Sequence, residues 1–176
     1  MKNSFINKGQ SSSTMQDSCI STGTINTGSV SYPDAVVAEL RFMIQEEKMA
    51  GDLYQAFYEQ TGLRIFSKIA ASEDQHMETL LAQAERAGID VSDLLALPEG
   101  EYLDAGLQAL YGSLLTTGSE SVTAALTVGQ QVEQVDIADL SAAQIEVVGT
   151  PLATVYAHLL DASQNHLSAF NNWLTV

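Results

Sequence analysis

The stretch EEKMAGDLY, residues 46–54, decides the fold, because it sets a carboxylate into the apolar face of a helix. Working outward at helical spacing, Leu40, Met43, Ile44, Ala50, Gly51, Tyr54 and Tyr58 form one stripe, and Glu47 falls in line with them. A second stripe follows with Phe66, Ile69, Ala70, Met77, Leu80 and Leu81, and Glu73 and His76 stand on it. Unpaired carboxylates on a core face are expensive. Something cationic is therefore expected between the two helices, with a metal ion the leading candidate.

The rest of the chain supplies more helices. Pro33 opens the first, expected over 33–60 and ended near Gly62; the second covers 63–87 and stops at Gly88. Residues 90–101, with Pro98 and Gly100, form a connection with room for a short turn. A third helical region runs from Asp104 to Leu140, interrupted around Thr116–Gly118 and restarted by Ser119 as an N-cap. Ser141–Val148 reads as a short helix, and Thr150-Pro151 caps the last long one, 151–174. No strand alternates in this body. The pattern predicts an all-α chain whose residues 33–176 form an antiparallel four-helix bundle.

The two later helices repeat the anomaly of the first two. Glu133 and Asp136 stand on a stripe of Val122, Ala125, Leu126, Gly129, Val132, Ile137 and Leu140. His166 stands on a stripe of Leu152, Val155, Tyr156, Leu159, Ser163, Phe170 and Trp173. Residues three apart project to one side of a helix, so a carboxylate and an imidazole at that spacing can grip one ion or two adjacent ones. Oxygen ligands with a few nitrogens suit iron or manganese better than structural zinc. Four carboxylates would be neutralised by two divalent ions. By contrast Glu46, Asp74, Glu78, Glu85, His158 and Asp161 fall off the stripes and read as solvated.

Composition narrows the classes. The 176 residues carry 7 basic and 22 acidic side chains, a net charge of −15, which argues against nucleic acid and anionic membranes as partners. Mean hydropathy is +0.04, and no apolar run reaches the roughly 20 residues that span a bilayer. The beginning, MKNSFINKGQSSSTMQDSC, has no continuous apolar core, so no secretory signal is expected and a cytoplasmic location is the default. Cys19 is the only cysteine, which excludes an intrachain disulfide and an attached rubredoxin-type iron centre. Residues 1–32, rich in Ser, Thr, Asn and Gly, read as an extended tail. Within it the β-tolerant run STGTINTGSVSY, residues 21–32, suggests an assembly arm that adds to a neighbouring subunit.

These motifs resemble the ferritin-like di-iron carboxylate superfamily. Glu47, Ala50 and Tyr54 match its first helix, Glu73 and His76 its Glu-x-x-His, Glu133 its third helix and His166 its fourth. Within that superfamily the chain is similar to the rubrerythrin-like DUF2202 group. The likeness rests on EEKMAGDLYQAFYEQTG, IAASEDQHM, QALYGSLLTTGSES, EQVDIADL and NHLSAF, and covers about residues 35–174. The family's fourth helix usually has a Glu three residues before its His; here Ser163 stands there, and Asp136 is expected to supply the missing oxygen. The resemblance implies two iron ions, with manganese or a mixed pair as variants, held by Glu47, Glu73, His76, Glu133, Asp136 and His166. Tyr54 is the candidate catalytic residue, hydrogen-bonding a carboxylate ligand rather than forming a radical. The chemistry implied is peroxide reduction or Fe(II) oxidation in a homo-oligomer, with an external electron donor for a peroxidase. The alternative is a structural, self-assembling subunit whose tail docks on its neighbour and whose metal stabilises the bundle; it would suit an extracellular surface assembly. Iron storage in a hollow shell is the weaker third reading.

Overall fold

The computed structural model describes residues 31–175, all of whose regular structure is helical. The order is α1 (Asp34–Thr61), α2 (Arg64–Ala87), α3 (Ser92–Leu95), α4 (Ala105–Gly118), α5 (Val122–Glu146) and α6 (Pro151–Leu174). The arm expected in residues 1–32 falls, up to residue 30, outside the described residues. Tyr32 is described and is half-buried against the core.

Gly62 ends α1 with φ of 68°, a left-handed conformation that a side chain disfavours, and its N–H bonds to Tyr58 O at 2.8 Å. Only Gly62 and Leu63 separate α1 from α2, so the second helix must fold back along the first. Residues 147–150 make the corresponding link from α5 to α6, where Pro151 occupies the first turn. The hairpins pack through α1 against α5 and α2 against α6, so the four long helices enclose one interior. α4 lies outside this group, against α1 and α5.

The apolar interior is divided. One cluster gathers Leu40, Met43, Ile44, Leu80, Leu140, Leu152 and Leu159. The other gathers Leu53, Tyr54, Phe57, Phe66, Leu126, Val132 and Phe170. In sequence along each helix, the inward polar residues fall between the two sets. Buried close to the aromatic cluster, Gly129 admits the Phe170 ring: a Cβ there would lie 2.5 Å from Phe170 Cζ.

The connection after α3 is tied to the outer side of α1. Gln45 Oε1 accepts from the backbone N–H of Leu103 (2.8 Å) and Asp104 (3.0 Å). Asp52 accepts from Lys48 (2.6 Å), Gly100 N (2.9 Å) and the Tyr102 hydroxyl (2.7 Å). Arg41 binds Asp93 at 2.5 Å and also donates to Asp90 O. These bonds seat α4 beside α1.

Several expected boundaries shift. The expected interruption of the third helical region falls later, between Gly118 and Val122, and the cap of the second helix is Ser121, whose hydroxyl accepts from Ala124 N at 3.0 Å. Ser119 instead closes α4, its backbone N–H and its hydroxyl both donating to Leu115 O. Ser141–Val148 is not a separate helix: Ser141 donates to Ile137 O within the turn, and α5 continues to Glu146. Pro33 precedes α1 instead of beginning it. Val122 and Trp173, expected on inward stripes, are exposed near helix ends.

Two glycines test the close packing. Gly129→Ala is expected to destabilise the chain by about 1–3 kcal/mol through overpacking against Phe170. Gly112→Ala, where a Cβ meets nothing within 4 Å in the exposed α4, should stabilise by about 0.5–1 kcal/mol. Urea denaturation of both variants measures the contrast, and equal effects would refute the packing at Gly129.

Candidate metal centre

Glu47 of α1, Glu73 and His76 of α2, Glu133 and Asp136 of α5 and His166 of α6 converge between the two apolar clusters. Each carboxylate is no more than 6% exposed. Two triads form, Glu47–Glu73–His76 and Glu73–Glu133–His166, with the potential ligand atoms of each lying within 4.8 Å of one another. Glu73 belongs to both. Its Oε2 lies 2.7 Å from His76 Nδ1, and its Oε1 lies 2.9 Å from His166 Nδ1. Glu47 Oε2 is 3.2 Å from His76 Nδ1, and Glu133 Oε2 is 3.4 Å from His166 Nδ1.

Several of these contacts have the distance of a hydrogen bond without its alignment. Glu73 Oε2 and His166 Nδ1 have no hydrogen-bond partner despite their close neighbours, and Glu47 Oε1 and Asp136 Oδ1 are likewise unpartnered. Buried polar atoms are almost always satisfied. His76 Nδ1 and Glu47 Oε2 do form a hydrogen bond, but the other crowded atoms leave donor capacity unused that a shared cation could take up.

The outer sides of these side chains are occupied. The Tyr54 hydroxyl donates to Glu133 Oε1 at 2.7 Å. Nε2 of His166 lies 3.1 Å from Ser72 Oγ, and Nε2 of His76 lies 3.4 Å from it, so one hydroxyl spans both rings. The rings stack with centroids 5.6 Å apart. With both Nε2 atoms held at Ser72, both Nδ1 atoms face the carboxylates.

Charge in this enclosure is costly, and proton affinities respond. Burial pushes Glu47 up to about 8, against the pull of His76 and with the charge of Glu73 adding to it. Glu133 rises to about 7, mainly by burial, opposed by His166. Asp136 lies well above its ordinary value through burial and the charge of Glu47. At Glu73 burial also pushes upward, but the His166 and His76 contacts prevail and bring it down to about 2. Burial disfavours both imidazolium ions, yet Glu47 and Glu73 carry His76 to about 10, and Glu133 and Glu73 carry His166 to about 9. Tyr54 is held protonated by burial and by the charge of Glu133.

Five of the six expected ligands thus meet in the two triads. Asp136 is buried beside them but joins neither. Ser163 is fully buried, and its hydroxyl donates to Leu159 O at 2.9 Å. Glu46, expected on a solvated face, is only 4% exposed because α4 packs over that side of α1. Burial and the charges of Asp136 and Asp139 push its carboxyl up to about 9, and its Oε2 has no partner. Ser72 also escaped the sequence reading, although its place four residues before His76 puts it on the same side of α2.

The profile of an uncharacterized protein domain, DUF2202, matches residues 37–175. An uncharacterized protein of Methanocaldococcus jannaschii, MJ0754, is 34% identical over 131 residues, covering 73% of this chain and 69% of its own. The crystal structure of the hypothetical protein MJ0754 aligns with a TM-score of 0.75 at 33% identity, covering 79% of each chain. The helical fold is thus similar to one observed in a crystal.

The proton affinities predict how metal-free protein responds to pH. Glu46, Glu47, Glu133, Asp136 and both imidazoles bind protons more tightly folded than unfolded. Stability from each is complete below its unfolded pKa and is lost as pH rises through its folded one. Glu73 acts oppositely, but its window lies between the ordinary glutamate value of 4.5 and about 2. The melting temperature of metal-stripped protein should therefore fall by several degrees between about pH 5 and pH 9. Saturating Mn(II) should stabilise more as pH rises, because metal and protons compete. A metal-free melting temperature that climbs over this range would contradict the charge balance described.

Proposed function

The chain belongs to the DUF2202 family, and we propose that its four long helices form a ferritin-like bundle holding two transition-metal ions, iron or manganese. The observation that carries this reading is the pair of triads that share Glu73 and leave buried donor atoms unpartnered. Glu47 and His76 would serve one ion, Glu133 and His166 the other, with one Glu73 oxygen for each. Asp136, its Oδ1 unpartnered, would add an oxygen at the centre. A donor set of carboxylates and two imidazoles suits iron or manganese.

Bound as Fe(II), the pair would supply two electrons to peroxide or dioxygen, making the protein a peroxidase or a ferroxidase. The chain's residues prepare that chemistry. The Tyr54 hydroxyl holds Glu133 through Oε1 and leaves Oε2 directed at the site. Ser72 keeps both Nε2 atoms engaged, so each imidazole offers Nδ1. Tyr54, Phe66 and Phe170, all 0% exposed, close the aromatic end against water. A peroxidase cycle would need an external donor, since the lone Cys19 cannot build a rubredoxin-type centre.

Protein prepared with Fe(II) is expected to carry two ions per chain and to be oxidised by peroxide, followed optically. Glu73→Ala removes the shared ligand and should abolish both binding and oxidation. Metal content or oxidation unchanged in that variant would sink the reading. Ser72→Ala should weaken metal affinity by about 10–100-fold with the fold intact, measured by competition with a chelator.

A further inference from the structure

Glu46 has no role in the proposed site, yet it is a carboxylate buried to within 4% of full enclosure with Oε2 unpartnered. Both cations near it on α1 are committed elsewhere, Lys48 to Asp52 and Arg41 to Asp93. Glu46 lines a cavity of about 210 Å³ between α1, α4 and α5, opposite Gln131, Val132 and Val135. Two helical turns earlier on α1, Glu39 lines a larger cavity of about 310 Å³, opposite Ala142 and Ala143. The unpartnered Tyr156 hydroxyl belongs to that same cavity.

These pairings fix the register. Moving from Glu39 to Glu46 advances about 10 Å along α1 and runs backwards along α5. Asp139 and Asp136 fall in that interval of α5, and both act on the charge of Glu46, while Asp139 also acts on Glu39. Asp136 in turn feels Glu47 and Glu133. Carboxylates thus alternate across the seam as Glu39, Asp139, Glu46 and Asp136, from a half-buried rim to the buried centre.

We propose that the α1–α5 seam is an uptake path for divalent cations, with Glu46 the transfer carboxylate that hands an ion to Asp136 and the two triads. This inference rests on the di-metal reading. Glu46 holds the ion transiently, because among the described residues its neighbours do not close a triad of donor atoms around it. Its unpartnered oxygen makes it a stepping stone, and the negative seam raises the local cation concentration.

Stopped-flow mixing of metal-free full-length protein with Co(II), followed by cobalt absorption, separates the possibilities. Wild type should load two ions per chain. E46Q should load the same two ions but about tenfold or more slowly. E39Q, at the half-buried rim, should be slowed less, and added salt should slow wild type more than E46Q. Circular dichroism reports whether E46Q folds; if it does not, D139N is measured in its place, with the same slowing expected. Failure of wild type to bind cobalt would overturn the di-metal reading itself. Two ions in wild type with unchanged rates in the seam variants would overturn the path alone. A lost ion in E46Q at unchanged rate would make Glu46 a ligand, which also contradicts the path.

Discussion

Four carboxylates enclosed between apolar clusters set the terms for everything around them. Glu47, Glu73, Glu133 and Asp136 are withdrawn from water, and the charge of Glu73 raises the proton affinity of the other three. Two imidazolium ions offset only half of that charge. Two divalent cations with neutral imidazoles would offset all of it. Protons occupy the place in the metal-free protein, which is why proton affinity rises in most of the cluster.

The surrounding helices can be understood as support for that layer. An aliphatic cluster and an aromatic cluster are packed on either side of it, and each draws side chains from all four long helices. Gly129 lets Phe170 approach, and Phe170 lies 5.4 Å from the Tyr54 ring that steadies Glu133. Ser163 fits the same logic. A carboxylate there would add a fifth negative charge, whereas a hydroxyl bonded to its own helix at Leu159 adds none and leaves room for Asp136.

Much of this was legible in the sequence, for identifiable reasons. Residues that face a single interior repeat at helical spacing, so Glu47, Glu73, His76, Glu133, Asp136 and His166 could be picked out as polar members of apolar stripes. Gly62, Gly88 and Pro151 marked three helix ends. What escaped depends on tertiary packing. A stripe describes one buried face, but α1 is covered on a second side by α4 and by the loop that Gln45 and Asp52 anchor. Glu46 was therefore placed in solvent when it is enclosed. Ser119 was expected as the cap of α5, but the hydrogen bonds tie Ser119 to α4 and give the cap to Ser121.

The central claim is that two ions lie on either side of Glu73. Anomalous scattering from crystals grown with Mn(II), collected at the manganese edge, tests it most directly. Two peaks about 3.5–4 Å apart are expected, one beside Glu47 and His76 and one beside Glu133 and His166. No peak among these residues, or a single peak at full manganese occupancy, would contradict it.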